Sequence, residues 1–194
     1  MTKLFQIITD SSCDLPQSLA DELDLRVLPL HVTIDGKTYN NYLDGREIAF
    51  KDFFDKLRAG SQGTTSAVNP EEFRAEMEPV LAAGLDVGAR GSILVDRHMR
   101  TSDADIYAVG DAVQVENGVT HQAALIALAG PANKQGRVAA DNIAGLDSAY
   151  RASWGSSVVK LFDMTAAATG LNERAAKAAG LAYDKVVLSP ASHA

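Results

Sequence analysis

The sequence predicts an α/β fold, built as two partial α/β segments that either stand side by side or merge into one sheet. Short runs rich in Val, Ile and Leu end in turn residues, as at 25–34 before Asp35-Gly36. Helix-period stretches with start and stop signals alternate with those runs, as at 48–60. Composition changes near Gly84. Residues 1–84 hold 8 Lys and Arg against 14 Asp and Glu, whereas 85–194 hold 10 against 11, with more Ala and Gly and the only Trp.

In chain order, residues 4–8 read as a buried strand closed by a turn at Thr9-Asp10-Ser11-Ser12. Asp14 is placed to cap a helix with Pro16 in its first turn, running to Leu23. Residues 25–34 read as a strand in which Pro29 demands an edge or a bend. Asp35-Gly36 is a hairpin-turn signal, and 37–39 would return. Ile48, Phe50, Phe53, Phe54 and Leu57 fall on one face of a helix that Gly60 ends. Residues 61–68 read as a small polar loop. Asn69 and Pro70 would start a further helix with Phe73, Met77, Val80 and Leu81 inward. Beyond Gly84, strands are expected at 92–95, 106–109, 157–162 and 185–188. Residues 121–144 are helix-compatible with an interruption at Gly130-Pro131, and Asn172 would cap a helix to Ala179.

The 194 residues suffice for one domain or two small ones, and 46% hydrophobic with 22% charged residues is ordinary for a globular chain. No apolar run approaches the roughly 20 residues of a membrane helix, and the N-terminus lacks a signal-peptide pattern. Cys13, the single cysteine, excludes an internal disulfide and a Cys-rich metal site, so a cytoplasmic setting is expected. A net charge of -7 argues against a nucleic-acid partner. His31, His98, His121 and His193 have no metal-ligand spacing, and no metal site is assigned. There is no Gly-x-Ser-x-Gly elbow and no Walker loop, and no catalytic residue is assigned. Lys134 and Arg137, three apart on a helix, suit a solvated face or a phosphate contact.

Ile8-Thr9-Asp10-Ser11, Val27-Leu28-Pro29-Leu30, Asp35-Gly36-Lys37-Thr38-Tyr39 and Gly63-Thr64-Thr65-Ser66 before Asn69-Pro70 are in an order and spacing that resemble the N-terminal part of the DegV family. The resemblance covers 1–84 and implies fatty-acid binding, with Thr65 and Ser66 holding the acyl carboxylate. Hydroxyls, backbone N–H groups and a helix start suit that anion. A polar loop that caps a helix explains the same residues. Asp10 and Ser11, at a strand end, suit a ligand contact or a simple turn. The family's second Ser/Gly-rich loop and tail-covering domain are not found.

Thr101-Ser102-Asp103-Ala104-Asp105-Ile106-Tyr107-Ala108-Val109-Gly110-Asp111 resembles the second flavin motif of the pyridine nucleotide-disulfide oxidoreductases. Leu128-Ala129-Gly130-Pro131-Ala132-Asn133-Lys134-Gln135-Gly136-Arg137 resembles their NADH oxidase and coenzyme A-disulfide reductase branch. Residues 158–170 and 185–194 look like the start of its dimerisation domain. The resemblance implies that Gly110 lets the backbone approach FAD and that Asp111 accepts from a ribitol hydroxyl, ahead of a helix start facing the pyrophosphate. A turn after a strand is the plainer reading of Gly-Asp alone. Ala104 and Ala127 stand where the family has Pro. The chain contains no Gly-x-Gly-x-x-Gly loop for the ADP half or for NAD(P)H; 88–91 has other spacing. The branch's redox cysteine is also missing, and Cys13 lies outside this segment.

The expectation is therefore a 1–84 fragment joined to an 85–194 fragment, each with half of a site. No complete activity is expected. FAD and a fatty acid are the two candidate ligands, a non-functional fusion without a ligand is the third reading, and open strand edges point to self-association. A natural fusion, an assembly artefact and a deliberate recombination would all leave such a seam.

Overall fold

The computed structural model describes residues 5–66, 84–88 and 91–189. Its contacts divide the chain into Met1–Leu81 and Ala82–Ala194. Every sheet among the described residues takes its strands from one of these units, so none of them joins the two. The helix expected from Asn69 lies outside the described residues.

In the first unit, β1 (Ile8–Asp10) pairs in parallel with β2 (Arg26–Leu28). Between them runs α1 (Gln17–Glu22), whose N-cap is Pro16. Asp14 does not cap it: at φ 54° it closes a 3-10 turn, Ser11–Cys13, and lies outside the helix. Pro29 does more than bend a strand. It separates β2 from β3 (Leu30–Ile34), which belongs to another sheet, because a residue without an N–H cannot carry a ladder forward. β3 pairs antiparallel with β4 (Lys37–Asn41) through Asp35 and Gly36, both left-handed, as the mirror-image hairpin turn requires. α2 (Phe50–Arg58) begins at Phe50, leaving Ile48 before it, and Phe50 and Phe54 remain about half exposed. Lys56 Nζ donates to Asp35 Oδ2 at 2.7 Å and, with Ser61, holds that carboxyl below its usual range. Residues 63–66 are not a loop. They form β5 (Gly63–Ser66), paired antiparallel on the other edge of β3. Thr64 and Thr65 are β-branched, and the edge of β3 offers them backbone partners.

The second unit centres on β6 (Ile93–Leu94), β7 (Val113–Glu116) and β8 (Ala123–Leu125). β6 and β7 are parallel; β7 and β8 are antiparallel. Val113 and Val115 alternate with Gln114 and Glu116, so β7 buries one face. They pack with Met99, Val138 and Ala139, and Ile93, Tyr107, Ile126 and Tyr150 close around them. Val138 and Ala139 belong to α3 (Ala129–Ile143), which runs unbroken through Gly130-Pro131. Pro131 sits in the first turn, where backbone N–H groups have no helical partner to lose. The expected helix at 121–144 is thus a strand followed by a helix.

Residues 157–168 form a hairpin of β9 (Ser157–Leu161) and β10 (Met164–Ala168), exposed along its length. α4 (Glu173–Ala178) is capped by Asn172, whose side chain accepts from the Ala175 N–H at 2.9 Å. Residues 185–188 form no strand: Val186, Val187 and Leu188 are nearly four-fifths exposed and find no neighbouring strand among the described residues.

Candidate functional site

The flavin-like motif is built differently from its sequence expectation. Residues 106–109 are not a strand of the sheet. They fold back on 99–101: Thr101 N donates to Ile106 O at 3.0 Å and Ala108 N to Met99 O at 3.1 Å. A single bridge links Arg100 and Tyr107. Asp103 Oδ1 accepts from Asp105 N, and Thr101 Oγ1 from Asp103 N, which tightens the intervening turn. Arg100 donates to the Tyr107 hydroxyl from Nε at 3.2 Å and Nη2 at 2.8 Å, which raises the guanidinium's hold on its proton. β6 pairs with β7, whose alternating valines face the core.

This fold-back delivers Gly110, which is left-handed at φ 78°. Gly110–Ala112 is one 3-10 turn, and β7 follows at once. The helix expected after Asp111 is therefore absent, and no helix start faces a pyrophosphate at this point. Asp111 is exposed, and its carboxylate takes no hydrogen bond among the described residues. The backing comes from α3. Gln135, 1% exposed, accepts from the Gly110 N–H through Oε1 at 2.7 Å. A Cβ at Gly110 would stand 3.7 Å from that of Ala132. Sequence reading missed Gln135. Its signal was a polar residue three and four places before Val138 and Ala139, on the stripe a helix buries. Lys134 and Arg137 are exposed on the opposite side.

In the first unit, Thr65 and Ser66 are consecutive on β5, opposite Val32 and His31 of β3. Both are exposed, and alternation sends their hydroxyls to opposite faces. Asp10 and Ser11 are structurally engaged. Asp10 Oδ1 accepts from Ser12 N at 2.8 Å and from its hydroxyl at 2.5 Å. Ser11, 4% exposed, accepts from Leu30 N at 3.0 Å and Asn41 Nδ2 at 3.3 Å, tying β1 to the neighbouring hairpin. Cys13 is a half-buried free thiol. Among the described residues no cluster of His, Cys, Asp and Glu could hold a metal ion, and no helix is long and apolar enough to cross a membrane.

The chain is similar to two classes of protein. Residues 4–87 match the DegV family, described as uncharacterised proteins, and residues 73–136 match the pyridine nucleotide-disulphide oxidoreductases. The matches overlap over 73–87, which contains Gly84. Relatives of both kinds exist. The chain is 28% identical over 170 residues to a CoA-dependent NAD(P)H sulfur oxidoreductase of Pyrococcus abyssi, covering 88% of this chain and 35% of that one. It is 38% identical over 85 residues to a DegV domain-containing protein of Clostridium perfringens, covering 44% of this chain and 29% of the relative. Among solved structures, an FAD-dependent pyridine nucleotide-disulphide oxidoreductase from Desulfovibrio vulgaris matches at 41% identity and TM-score 0.51, over 54% of this chain and 26% of that one. The chain thus spans about a third of the length of the curated relatives it matches.

Proposed function

We propose that the chain joins a DegV-like segment, 1–84, to an oxidoreductase-like segment, 85–194, and that the second segment contacts a flavin without running a complete redox cycle. The observation that carries this reading is the left-handed Gly110 presenting an exposed, unengaged Asp111 carboxylate. An acceptor held on a bare turn fits a ribitol hydroxyl of FAD. Asp111 would orient that hydroxyl, and Gly110 would let the cofactor approach the backbone. When bound, FAD would supply hydride and electron transfer. With no Gly-rich dinucleotide loop in the chain and its one thiol at Cys13 in the other segment, turnover of NAD(P)H is not expected.

Titrating purified protein with FAD tests this. Saturable binding, weakened about tenfold by Asp111→Ala, is expected from loss of a hydrogen bond to a charged acceptor. No binding by the unsubstituted chain would end the flavin reading. NADH oxidation above the rate of free flavin would end the claim of an incomplete cycle.

A second reading, an acyl-carboxylate contact, rests on β5. Its outer edge carries no strand among the described residues and exposes the hydroxyls of Thr65 and Ser66. One hydroxyl with edge N–H groups can hold a carboxylate. Native mass spectrometry of the same sample decides: a co-purified fatty acid, lost in Thr65→Ala or Ser66→Ala, is expected.

A further inference from the structure

The N–H of Gly110 has no backbone partner, since neither the 3-10 turn nor β7 supplies one. Its partner is a side chain from the middle of α3, Gln135 Oε1, at 2.7 Å. Among the described residues Gln135 is one of the most deeply buried side chains, on the same helix face as the core residues Val138 and Ala139. A polar group in that stripe costs stability unless it is bonded. Ala132, one turn earlier on α3, is the one neighbour a Cβ at Gly110 would meet, at 3.7 Å. The turn closes on itself through the Val113 N–H to Gly110 O bond, and the Gln135 bond ties it to α3.

We infer that Gln135 is the positioning residue of the Gly110–Asp111 turn. By fixing the Gly110 amide it sets the direction in which the Asp111 carboxylate leaves the surface. The residue type suits the task. A carboxamide is long enough to cross from the helix to the turn, offers a good acceptor, and is neutral, so its burial carries no charge penalty. The anchoring stands on the bond itself, whereas its use in ligand contact rests on the flavin reading above.

Two substitutions separate the possibilities. Gln135→Met keeps length and helix propensity but removes the acceptor; Gln135→Glu keeps an acceptor oxygen. Amide exchange at Gly110, followed by NMR, and FAD titration are read on each. In the unsubstituted protein the Gly110 amide should exchange at least about tenfold more slowly than an unstructured chain. Gln135→Met should speed that exchange and weaken FAD binding, each about tenfold, as expected for one lost bond of this kind. Gln135→Glu, which keeps the acceptor oxygen but buries a carboxyl, should recover both in part, a rescue that generic loss of packing would not produce. Unchanged exchange or unchanged affinity in a folded Gln135→Met overturns the inference, as does failure of a folded Gln135→Glu to rescue. If the unsubstituted chain binds no FAD, the flavin reading falls and the exchange pattern alone decides the anchoring. If neither variant folds, the unsubstituted Gly110 amide decides: protection supports the anchor, and exchange at the unstructured rate overturns it.

Discussion

Trp154 lies so close over Gly118 that a Cβ there would stand 2.4 Å from the indole Cε2. Gly118 N also donates to Ser153 O at 2.9 Å, so the segment before the hairpin is laid along the turn that joins β7 to β8. Gly118→Ala must push the indole away. Because Trp154 is already half exposed, it can move, and we expect a loss of about 1 kcal/mol from disturbed packing. Trp154 is the only Trp, so its emission reports the displacement directly, and an unshifted spectrum with an unchanged melting temperature would refute the close packing. At this scale the sequence was partly readable. Gly110 and Asp111 could be picked out because their motif is contiguous. Gln135 could not, because its role depends on which face of α3 is buried and on a turn 25 residues away.

Two elements with local causes were legible, whereas Asp14, equally local, closes a 3-10 turn instead of capping α1. The Asp35-Gly36 hairpin and the Asn172 cap each depend on two to four neighbouring residues. Asn172→Ala removes an acceptor from the Ala175 N–H and should cost about 1 kcal/mol. Only Ala176 of this six-residue helix is buried, so the effect should be local. Faster amide exchange confined to 173–179, with little change in global melting, is expected; a global loss would mean that α4 supports more than the structure shows. By contrast, 106–109 and 185–188 have strand-forming residues and no sheet partner. Propensity marks what can pair, and pairing needs an edge in reach. Conversely, 63–66 looked like a loop and became β5 because the edge of β3 was available.

On the scale of the whole molecule, the two units each keep their own sheets, and much apolar surface stays uncovered among the described residues. Phe162 is 95% exposed at the tip of β9–β10, Val158 and Met164 are about as bare as Val186 and Leu188, and both hairpin strands leave an edge open. Such surfaces favour association with other copies. Sedimentation should show mass rising with concentration, and replacing Val186, Val187 and Leu188 by Ser should reduce it; a monomer across the range would count against this. The sequence alone determined the α/β class, the Asp35-Gly36 turn and the Asn172 cap, and the resemblance of the two segments to two protein families, because these are written in contiguous residues. Only the tertiary structure decided which strands pair, that the site turn leads into a strand instead of a helix, that Thr65 and Ser66 face opposite ways, and that Gln135 holds Gly110. Each of those is settled by competition among distant partners for the same edge or the same core, and no single stretch of chain encodes the outcome of that competition.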